Sequence, residues 1–161
     1  MTTAEYNYCV DLHSDAVYRF ILKNIKDVDK AKDIVQDSFE KMWIKLKDIS
    51  GEKAKSYLFT TAYHTMIDSI RKNKNISSYE EIEFGVQADN KEYLGLKDVL
   101  NDAIKKLPDV QRSVVLLRDY EGYSYEEIGK ITDLNESQVK VYIYRARVFL
   151  KEYIGSLENV I

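Results

Sequence analysis

Residues 124–150, SYEEIGKITDLNESQVKVYIYRARVFL, contain two signals for the start of a helix. Ser124 lies three residues before Glu127, and Asn135 lies three residues before Gln138. A capping residue followed by Glu or Gln at this spacing is typical of a helix N-terminus, where the two side chains satisfy free backbone N–H groups. Two helices that begin eleven residues apart predict a helix-turn-helix, with Gly129 where they must approach closely.

The second predicted helix has a buried side and an exposed side. Helical spacing of the apolar residues predicts the buried side of the motif, formed by Ile128, Ile131, Leu134, Val139, Ile143, Ala146 and Leu150. The exposed side suits the major groove of DNA, because amides, methyl groups and Arg can read base edges while Lys and Arg hold phosphates. The candidate DNA-binding residues on it are Glu136, Ser137, Gln138, Lys140, Val141, Tyr144, Arg145 and Arg147. Basic helix faces are common, so an ordinary helical hairpin with a solvated charged face stays open at this point.

Upstream of this motif the chain predicts two more helices and a linker. Leu100, Ile104 and Leu107 repeat at helical spacing and end at Pro108, which can open the next helix because it lacks an N–H. Residues 76–97 have no sustained period, and residues 75–98 hold two basic against six acidic residues. We therefore predict a flexible acidic linker over residues 76–97 and a second domain over residues 98–161.

The first 75 residues predict three helices. Apolar residues from Ala31 to Leu46 repeat every three or four positions, which is typical of an amphipathic helix. Ser50 and Gly51 interrupt the pattern, a further helix runs over about residues 55–70, and an upstream helix covers roughly residues 11–24. The predicted fold is all-α, with two small helical domains, the first over residues 1–75, joined by the linker.

The composition excludes several classes of protein. Cys9 is the only cysteine and cannot form an internal disulfide, and with only His13 and His64 the chain has no spaced Cys/His set for a metal. A Gly-rich phosphate loop and a nucleophile elbow are also missing, so we expect no enzyme activity, no metal and no cofactor. Without an apolar run of eighteen residues or a signal peptide, we expect a cytoplasmic protein. The net charge of −3 does not exclude DNA binding, because salt screens acidic residues far from a basic helix face.

Several segments of the second half resemble region 4 of the extracytoplasmic-function (ECF) group of sigma factors. They are residues 107–112 (LPDVQR), residues 120–128 (YEGYSYEEI), Val139-Lys140 and residues 145–147 (RAR). The resemblance implies that this domain reads the −35 element of a promoter with its second helix and docks on the flap of the polymerase beta subunit. Two positions depart from the family pattern, since Asp133 stands where Gly is frequent and Tyr142 where Arg is common. Asp tolerates a left-handed backbone, so we expect the turn to form.

Residues 33–43, DIVQDSFEKMW, resemble region 2.2 of the same family. The resemblance implies that the polar face of this helix grips the clamp helices of the polymerase beta-prime subunit. The residues assigned to that contact are Asp33, Gln36, Asp37, Glu40 and Lys41. Phe39, Met42 and Trp43 are expected in the hydrophobic core.

Residues 55–68, with Arg71 and Lys72 after them, resemble the helix that the family uses on the −10 element, and residues 49–54 match its flipped-base loop. Aromatic faces can hold unstacked bases while cations follow the backbone. The candidate −10 residues are Lys53, Lys55, Ser56, Phe59, Thr60, Tyr63, His64, Arg71 and Lys72. The alternative, in which these aromatics belong to the hydrophobic core, stays open. The family often has Trp at position 57 and an Arg-Asn pair at positions 63 and 64, so its −10 specificity cannot be copied onto Tyr57, Tyr63 and His64.

The resemblance predicts a sigma factor that binds bacterial core RNA polymerase and promoter DNA, without obligate homo-oligomers. An anti-sigma factor or another recruiting partner is a further expected partner. The acidic residues Glu80, Glu81 and Glu83 would act as a phosphate mimic or only keep the linker soluble. Two alternatives are a helix-turn-helix regulator, which would bind a palindrome as a symmetric dimer, and an adaptor that recruits polymerase through another DNA-targeting partner.

Overall fold

A computed structural model describes residues 1–76 and 95–158 of the chain. Seven α-helices lie in these two ranges: α1 (Thr3–Ile25), α2 (Val28–Ile44), α3 (Ala54–Ile76), α4 (Leu96–Lys106), α5 (Asp109–Val115), α6 (Tyr125–Thr132) and α7 (Glu136–Glu158). Short 3-10 turns at Leu46–Asp48 and Gly51–Lys53 connect α2 to α3, and a π-helical turn at Leu116–Tyr120 extends α5. The predicted all-α class is confirmed. The linker prediction, with Glu80, Glu81 and Glu83, lies almost entirely outside the described residues.

Helix α1 begins about eight residues earlier than the apolar pattern predicted. Thr2 caps it: the Thr2 hydroxyl accepts a hydrogen bond from the Glu5 N–H at 3.1 Å, and the Glu5 carboxylate accepts one from the Thr2 N–H at 3.1 Å. This pair has the spacing that located the helix at Ser124. The first turns were therefore encoded by a capping box rather than by apolar periodicity.

The first domain is formed by α1, α2 and α3, each of which packs against the other two. Its interior includes the fully buried side chains of Phe20, Met42, Leu58 and Met66. The prediction that Trp43 lies in the core is wrong, because its side chain is 48% exposed. Trp43 follows Met42 directly, and a step of one residue rotates a side chain by about 100° around a helix. Its indole packs edge-on against Tyr6 on the surface, with ring centroids 5.0 Å apart.

In the second domain, α7 packs against α4, α5 and α6. Both predicted helix starts are present: Ser124 and Glu127 form a reciprocal capping box, and the Asn135 carboxamide oxygen accepts the Gln138 N–H at 2.8 Å. Pro108 occupies the N-cap of α5 rather than its first turn, so α5 begins one residue later than predicted.

The turn of the helix-turn-helix depends on two residues. Asp133 adopts the left-handed backbone that the sequence required, with φ 61°. At Gly129 an added Cβ would lie 2.7 Å from the carbonyl oxygen of Leu134. The close approach predicted for Gly129 is therefore confirmed, and a side chain there would force the turn away from α6.

The two domains also pack against each other. Helix α3 contacts α6, and α1 contacts α4 and α5. One continuous cluster of buried side chains runs from the first domain into the second. The sequence predicted two tethered modules, and the structure adds a shared interior between them. Among the described residues, no helix has the length and hydropathy needed to cross a lipid bilayer.

Candidate nucleic-acid and polymerase interfaces

The predicted DNA-binding side of α7 is exposed along its whole length. All of its candidate residues are solvent-exposed: Glu136, Ser137, Gln138, Lys140, Val141, Tyr144, Arg145 and Arg147. Tyr144 is 70% exposed and Val141 45%, so the face offers an aromatic ring and an aliphatic group as well as polar side chains. The inward-facing Val139, Ile143 and Ala146 are buried as predicted. Helix α7 thus presents a preformed surface with amide, aliphatic, aromatic and basic groups on one side.

The three basic residues of this face differ in their partners. The Lys140 ammonium lies 3.5 Å from a Glu136 carboxylate oxygen, and Arg147 donates to both oxygens of Asp119, at 2.6 and 3.3 Å. The hydrogen bond to Asp119 raises the pKa of the Arg147 guanidinium above its ordinary value. Arg145 has no hydrogen bond or ion pair within the two described ranges. It is the basic group of this face with the greatest freedom to meet a base edge or a phosphate.

The start of α7 holds a shallow pocket beside Arg145, with polar groups at an otherwise largely apolar lining. The Asn135 N–H donates to Gln138 Oε1 at 3.0 Å, which fixes the carboxamide of Gln138 and leaves its NH₂ group to donate outward. Ser137, Gln138, Val141 and Arg145 line a shallow cavity of about 330 Å³ there. A base edge could meet hydroxyl, amide, methyl and guanidinium groups in this pocket.

The predicted polymerase-binding face of α2 is also exposed. Its five residues all lie on the solvent side of the helix: Asp33, Gln36, Asp37, Glu40 and Lys41. The Lys41 ammonium donates to Thr65 Oγ1 of α3 at 2.9 Å, so its side chain lies across the α2–α3 boundary. Three carboxylates and an amide remain directed outward for a partner.

An apolar groove beside this polar face was missed by the sequence reasoning. It lies between α1 and α2 and has a volume of about 540 Å³. Tyr6, Val10, Tyr18, Val35 and Phe39 line it, together with polar residues that include Gln36. Amphipathic periodicity assigned Val35 and Phe39 to the interior, and it could not show that α1 leaves part of them uncovered. The polar face of α2 therefore borders a surface that could hold an apolar side chain of a partner.

The candidate −10 residues fall into two groups. Lys53, Ser56, His64, Arg71 and Lys72 are exposed, and Lys55 and Thr60 are half-buried. Phe59 and Tyr63 are buried, with 0% and 5% exposure, and burial raises the pKa of the Tyr63 phenol. Both residues therefore belong to the hydrophobic core, which was the alternative that the sequence left open. The exposed basic residues and His64 are therefore accessible to DNA, whereas the Phe59 and Tyr63 rings are packed inside the protein.

Tyr123 of the second domain covers this part of α3. Its ring lies edge-on against Phe59 with centroids 5.2 Å apart, and the Lys55 ammonium lies 4.9 Å from the Tyr123 ring centre. The other side of Phe59 packs on Phe20, at 5.8 Å. Tyr123 belonged to a motif that the sequence singled out, but nothing in its neighbourhood along the chain pointed to a contact some sixty residues away.

Arg112 was also missed as a structural residue, although it ends the segment of residues 107–112 that the resemblance includes. Its side chain is buried and its guanidinium donates to five acceptors at 2.6 to 3.1 Å. They are the backbone oxygens of Ile104, Lys105, Leu107 and Asn24 and the carboxylate of Asp109. Arg112 thus caps the C-terminal end of α4 and reaches across to α1. An arginine in an amphipathic helix is ordinarily read as a surface residue, so sequence alone gave no signal for this role.

No group of three or more metal-ligating side chains that could hold an ion occurs in the described parts of the chain. The candidate site consists instead of two exposed helical surfaces, one on α7 and one on α2. A helix-turn-helix with an exposed polar and basic second helix, on a two-domain all-helical chain, defines a DNA-binding protein.

Comparison with known proteins identifies the family. The family model described as Sigma-70 region 2 matches residues 9–76, and the one described as Sigma-70, region 4 matches residues 97–150. The RNA polymerase sigma factor SigV of Bacillus subtilis (strain 168) is 33% identical over 142 residues, which cover 86% of this chain and 84% of SigV. The ECF RNA polymerase sigma factor SigM of the same organism is 29% identical over 145 residues, which cover 87% of this chain and 89% of SigM.

Comparison with solved structures gives the same family. The sigma factor RpoE, in its complex with the anti-sigma factor NepR from Bartonella quintana, superposes with a TM-score of 0.77 at 25% identity, covering 93% of this chain and 96% of RpoE. The chain belongs to the ECF group of the sigma-70 family of RNA polymerase sigma factors. Its function is promoter recognition in transcription initiation, and members of the family are non-enzymatic DNA-binding transcription factors.

Proposed function

We propose that the chain divides this function between two surfaces of the first domain and one of the second. In the first domain, residues 1–75, the exposed face of α2 binds core polymerase, while α3 and the loop before it recognise the −10 element and aid melting. In the second domain, residues 98–161, α7 reads the −35 element. Residues 76–97 connect them, and the protein acts in the cytoplasm without catalytic activity of its own.

The exposed face of α7 is the observation that carries this proposal. Reciprocal caps at Ser124 and Asn135 fix the starts of α6 and α7, and Gly129 lets the two helices approach closely. The helix backbone that carries Gln138, Val141 and Arg145 is therefore in place before any DNA arrives, and the Asn135 N–H fixes the Gln138 carboxamide. A preformed backbone loses little conformational entropy on binding, which favours sequence-specific contacts in a major groove.

The family relationship supports core polymerase and an anti-sigma factor as partners of this chain. The polar face of α2 resembles the region that contacts the beta-prime clamp helices, and three outward carboxylates on it could pair with cations of that partner. The second domain would dock on the beta flap. The relative RpoE is bound to an anti-sigma factor in its solved structure, which supports an anti-sigma factor as a further partner of this chain.

The proposal predicts one copy of the chain per core polymerase. Size-exclusion chromatography with light scattering, performed on the chain alone and with core enzyme, tests it directly. The expected result is a monomer alone and an equimolar complex with the core enzyme. A symmetric dimer that does not associate with core enzyme would favour the helix-turn-helix regulator, because an isologous dimer matches a palindromic site.

A further inference from the structure

The loop that joins α2 to α3, which the proposed function assigns to the −10 element, has an exposed tip at residues 50–53. Ile49 and Ala54, on either side of the tip, are buried, with 6% and 4% exposure, and the four residues between them are exposed. The Lys53 N–H donates to the Ser50 oxygen at 3.0 Å, which closes a single 3-10 turn. The tip has little packing of its own, so its position depends on what lies against it.

The Glu5 side chain of α1 lies against this tip. A Cβ added at Gly51 would clash with Glu5 Oε2, so the carboxylate occupies the space that a side chain at position 51 would need. The other oxygen, Oε1, accepts the Thr2 N–H at 3.1 Å, within the capping box that begins α1. Hydrogen bonds from Thr2 lower the pKa of the Glu5 carboxyl, which is therefore ionised at neutral pH. One side chain thus joins the start of α1 to the tip of the loop.

A second contact joins the same two segments just before the tip. The Met1 nitrogen donates to the backbone oxygens of Leu46 and Ile49, at 3.0 and 2.7 Å. Leu46 begins the 3-10 turn that follows α2, and Ile49 is the residue after that turn. The start of α1 therefore contacts the loop at its entry through Met1 and at its tip through Glu5.

Apolar packing does not replace these polar contacts. A cavity of about 330 Å³ lies between α1 and the loop, and Tyr8, Cys9, His13, Gly51 and Ala54 are among the residues that line it. A space of this size lacks the dispersion contacts that close packing would supply. The position of the tip relative to α1 is therefore set mainly by the polar contacts at the edge of the cavity.

We propose that Glu5 is a positioning residue for −10 recognition: its carboxylate, held by the capping box of α1, fixes the tip of the loop at Gly51 in the position that receives an unpaired base. The inference rests on the proposed function of the loop. A binding site whose backbone is already in place loses less conformational entropy on binding, and it holds its contacts more precisely when neighbouring residues support it. Loss of the Glu5 contact should therefore weaken the choice between bases at the position that the tip receives.

Substitutions in the full chain break or keep this contact. Glu5→Ala removes the carboxylate, and Gly51→Ala displaces it, because the added methyl group takes its place. Both changes act on one contact, so the double variant should show no larger effect than either single variant. Glu5→Gln keeps a side chain of the same length with an acceptor oxygen for the Thr2 N–H, and it should resemble the parent.

Two further variants are matched controls. Thr2→Ala weakens the start of α1 but leaves the Glu5 carboxylate and the Thr2 N–H that holds it. Gly95→Ala repeats the glycine replacement at a position where nothing lies within 4 Å of the added methyl group.

Hydrogen–deuterium exchange, followed by mass spectrometry of peptides that cover residues 46–54, measures how firmly the loop is held. We expect exchange about three- to tenfold faster in Glu5→Ala, Gly51→Ala and the double variant than in the parent. Glu5→Gln and both controls should exchange at the parent rate. Parent-like exchange in Glu5→Ala and Gly51→Ala would overturn the positioning role, and equally fast exchange in Thr2→Ala would overturn it by attributing the effect to fraying of α1.

Base preference in transcription gives the second measurement. Core polymerase with each variant transcribes a library built on one promoter mapped with the parent chain, in which the downstream element is randomised. We expect Glu5→Ala and Gly51→Ala to reduce the preference about three- to tenfold at one position of that element, with the other positions and the upstream element unchanged. A variant that is only destabilised would lower all transcripts alike, and that result would contradict the proposal.

A change in the loop itself separates this inference from the proposed function. Ser50→Ala/Lys53→Ala alters two exposed side chains of the tip and leaves Glu5 in place. If this variant changes the base preference and Glu5→Ala does not, the role of Glu5 is refuted while the function of the loop stands. If neither variant changes it, the proposed −10 function of the loop is wrong, and the inference fails with it.

Discussion

The two helices assigned to DNA, α7 and α3, are displayed in opposite ways. Helix α7 presents polar and basic side chains to solvent, and its buried side is satisfied within its own domain. Helix α3 carries most of its cations on the outside, whereas its Phe59 and Tyr63 rings are buried, and Phe59 packs against Tyr123 of the other domain. A surface that reads a closed duplex can stay exposed because it is largely polar. A surface that would stack unpaired bases is apolar, and burying it against a neighbouring helix stabilises the free protein.

The largest effect should come from Arg112, where the two domains meet. Arg112→Ala leaves four backbone oxygens around a buried space without their donor, and we expect it to lower the free energy of unfolding by about 3–5 kcal/mol. The matched control is Arg118→Ala, which removes one hydrogen bond, to the Tyr123 carbonyl, and the contact of the guanidinium with the Tyr125 ring, and should cost about 1–2 kcal/mol. Urea unfolding followed by circular dichroism measures both. A loss below 1 kcal/mol for Arg112→Ala would show that the domains do not depend on this residue.

Replacement of Gly129 tests the close approach of α6 to the turn within the second domain. Gly129→Ala would place a methyl group 2.7 Å from the Leu134 carbonyl oxygen, and we expect a destabilisation of about 1–3 kcal/mol. Gly155→Ala is the control on the neighbouring helix, where nothing lies within 4 Å of the added methyl. That change should stabilise α7 by up to about 1 kcal/mol, because alanine is the better helix former. Equal effects of the two substitutions in thermal unfolding would contradict the close approach at the turn.

Polymerase binding should depend on the exposed face of α2 rather than on surface charge in general. Asp37→Arg reverses a charge at the centre of the exposed α2 face, and we expect core polymerase affinity to fall at least about tenfold, roughly 1.4 kcal/mol, with the fold intact. Asp98→Arg makes the same change on the exposed first turn of α4 and should leave the affinity near the parent value. Fluorescence anisotropy with labelled chain measures both. Parent-like affinity in Asp37→Arg would remove α2 from the polymerase interface.

The smallest predicted contrast is between two arginines of the α7 face, Arg145 and Arg147. Arg145→Ala should weaken promoter binding by about 1–3 kcal/mol at the upstream element. In the described structure this guanidinium has no intramolecular partner, so no bond has to break before it contacts DNA. Arg147→Ala should cost less, since Arg147 is already bound to Asp119. Footprinting of the reconstituted holoenzyme, as a function of protein concentration, compares the two. Unchanged upstream protection in Arg145→Ala would favour the adaptor, in which α7 contributes little to DNA binding.

The sequence predicted what is encoded locally. The caps at Ser124 and Asn135, the left-handed Asp133 and the exposed residues of α7 follow from spacing over a few positions, and the structure confirms them. The early start of α1 was encoded in the same way, by Thr2 and Glu5, and was missed because only apolar periodicity was applied there.

What could not be predicted depends on contacts between distant segments. Phe59 and Tyr123 are each ordinary aromatic residues in their own helix or turn, and their contact exists only because the two domains close on each other. The same holds for the hydrogen bond from Arg112 to Asn24. Helical periodicity shows which side of a helix is apolar, but not whether its own domain or another one covers that side.

Transcription in vitro tests the central claim most directly. Core polymerase is incubated with fragmented genomic DNA, with and without the chain, and the 5′ ends of the transcripts are mapped. We predict new start sites that share two sequence elements roughly one and a half helical turns of DNA or more apart, and that disappear with Asp37→Arg. Identical start sites with and without the chain would contradict its assignment as an initiation factor.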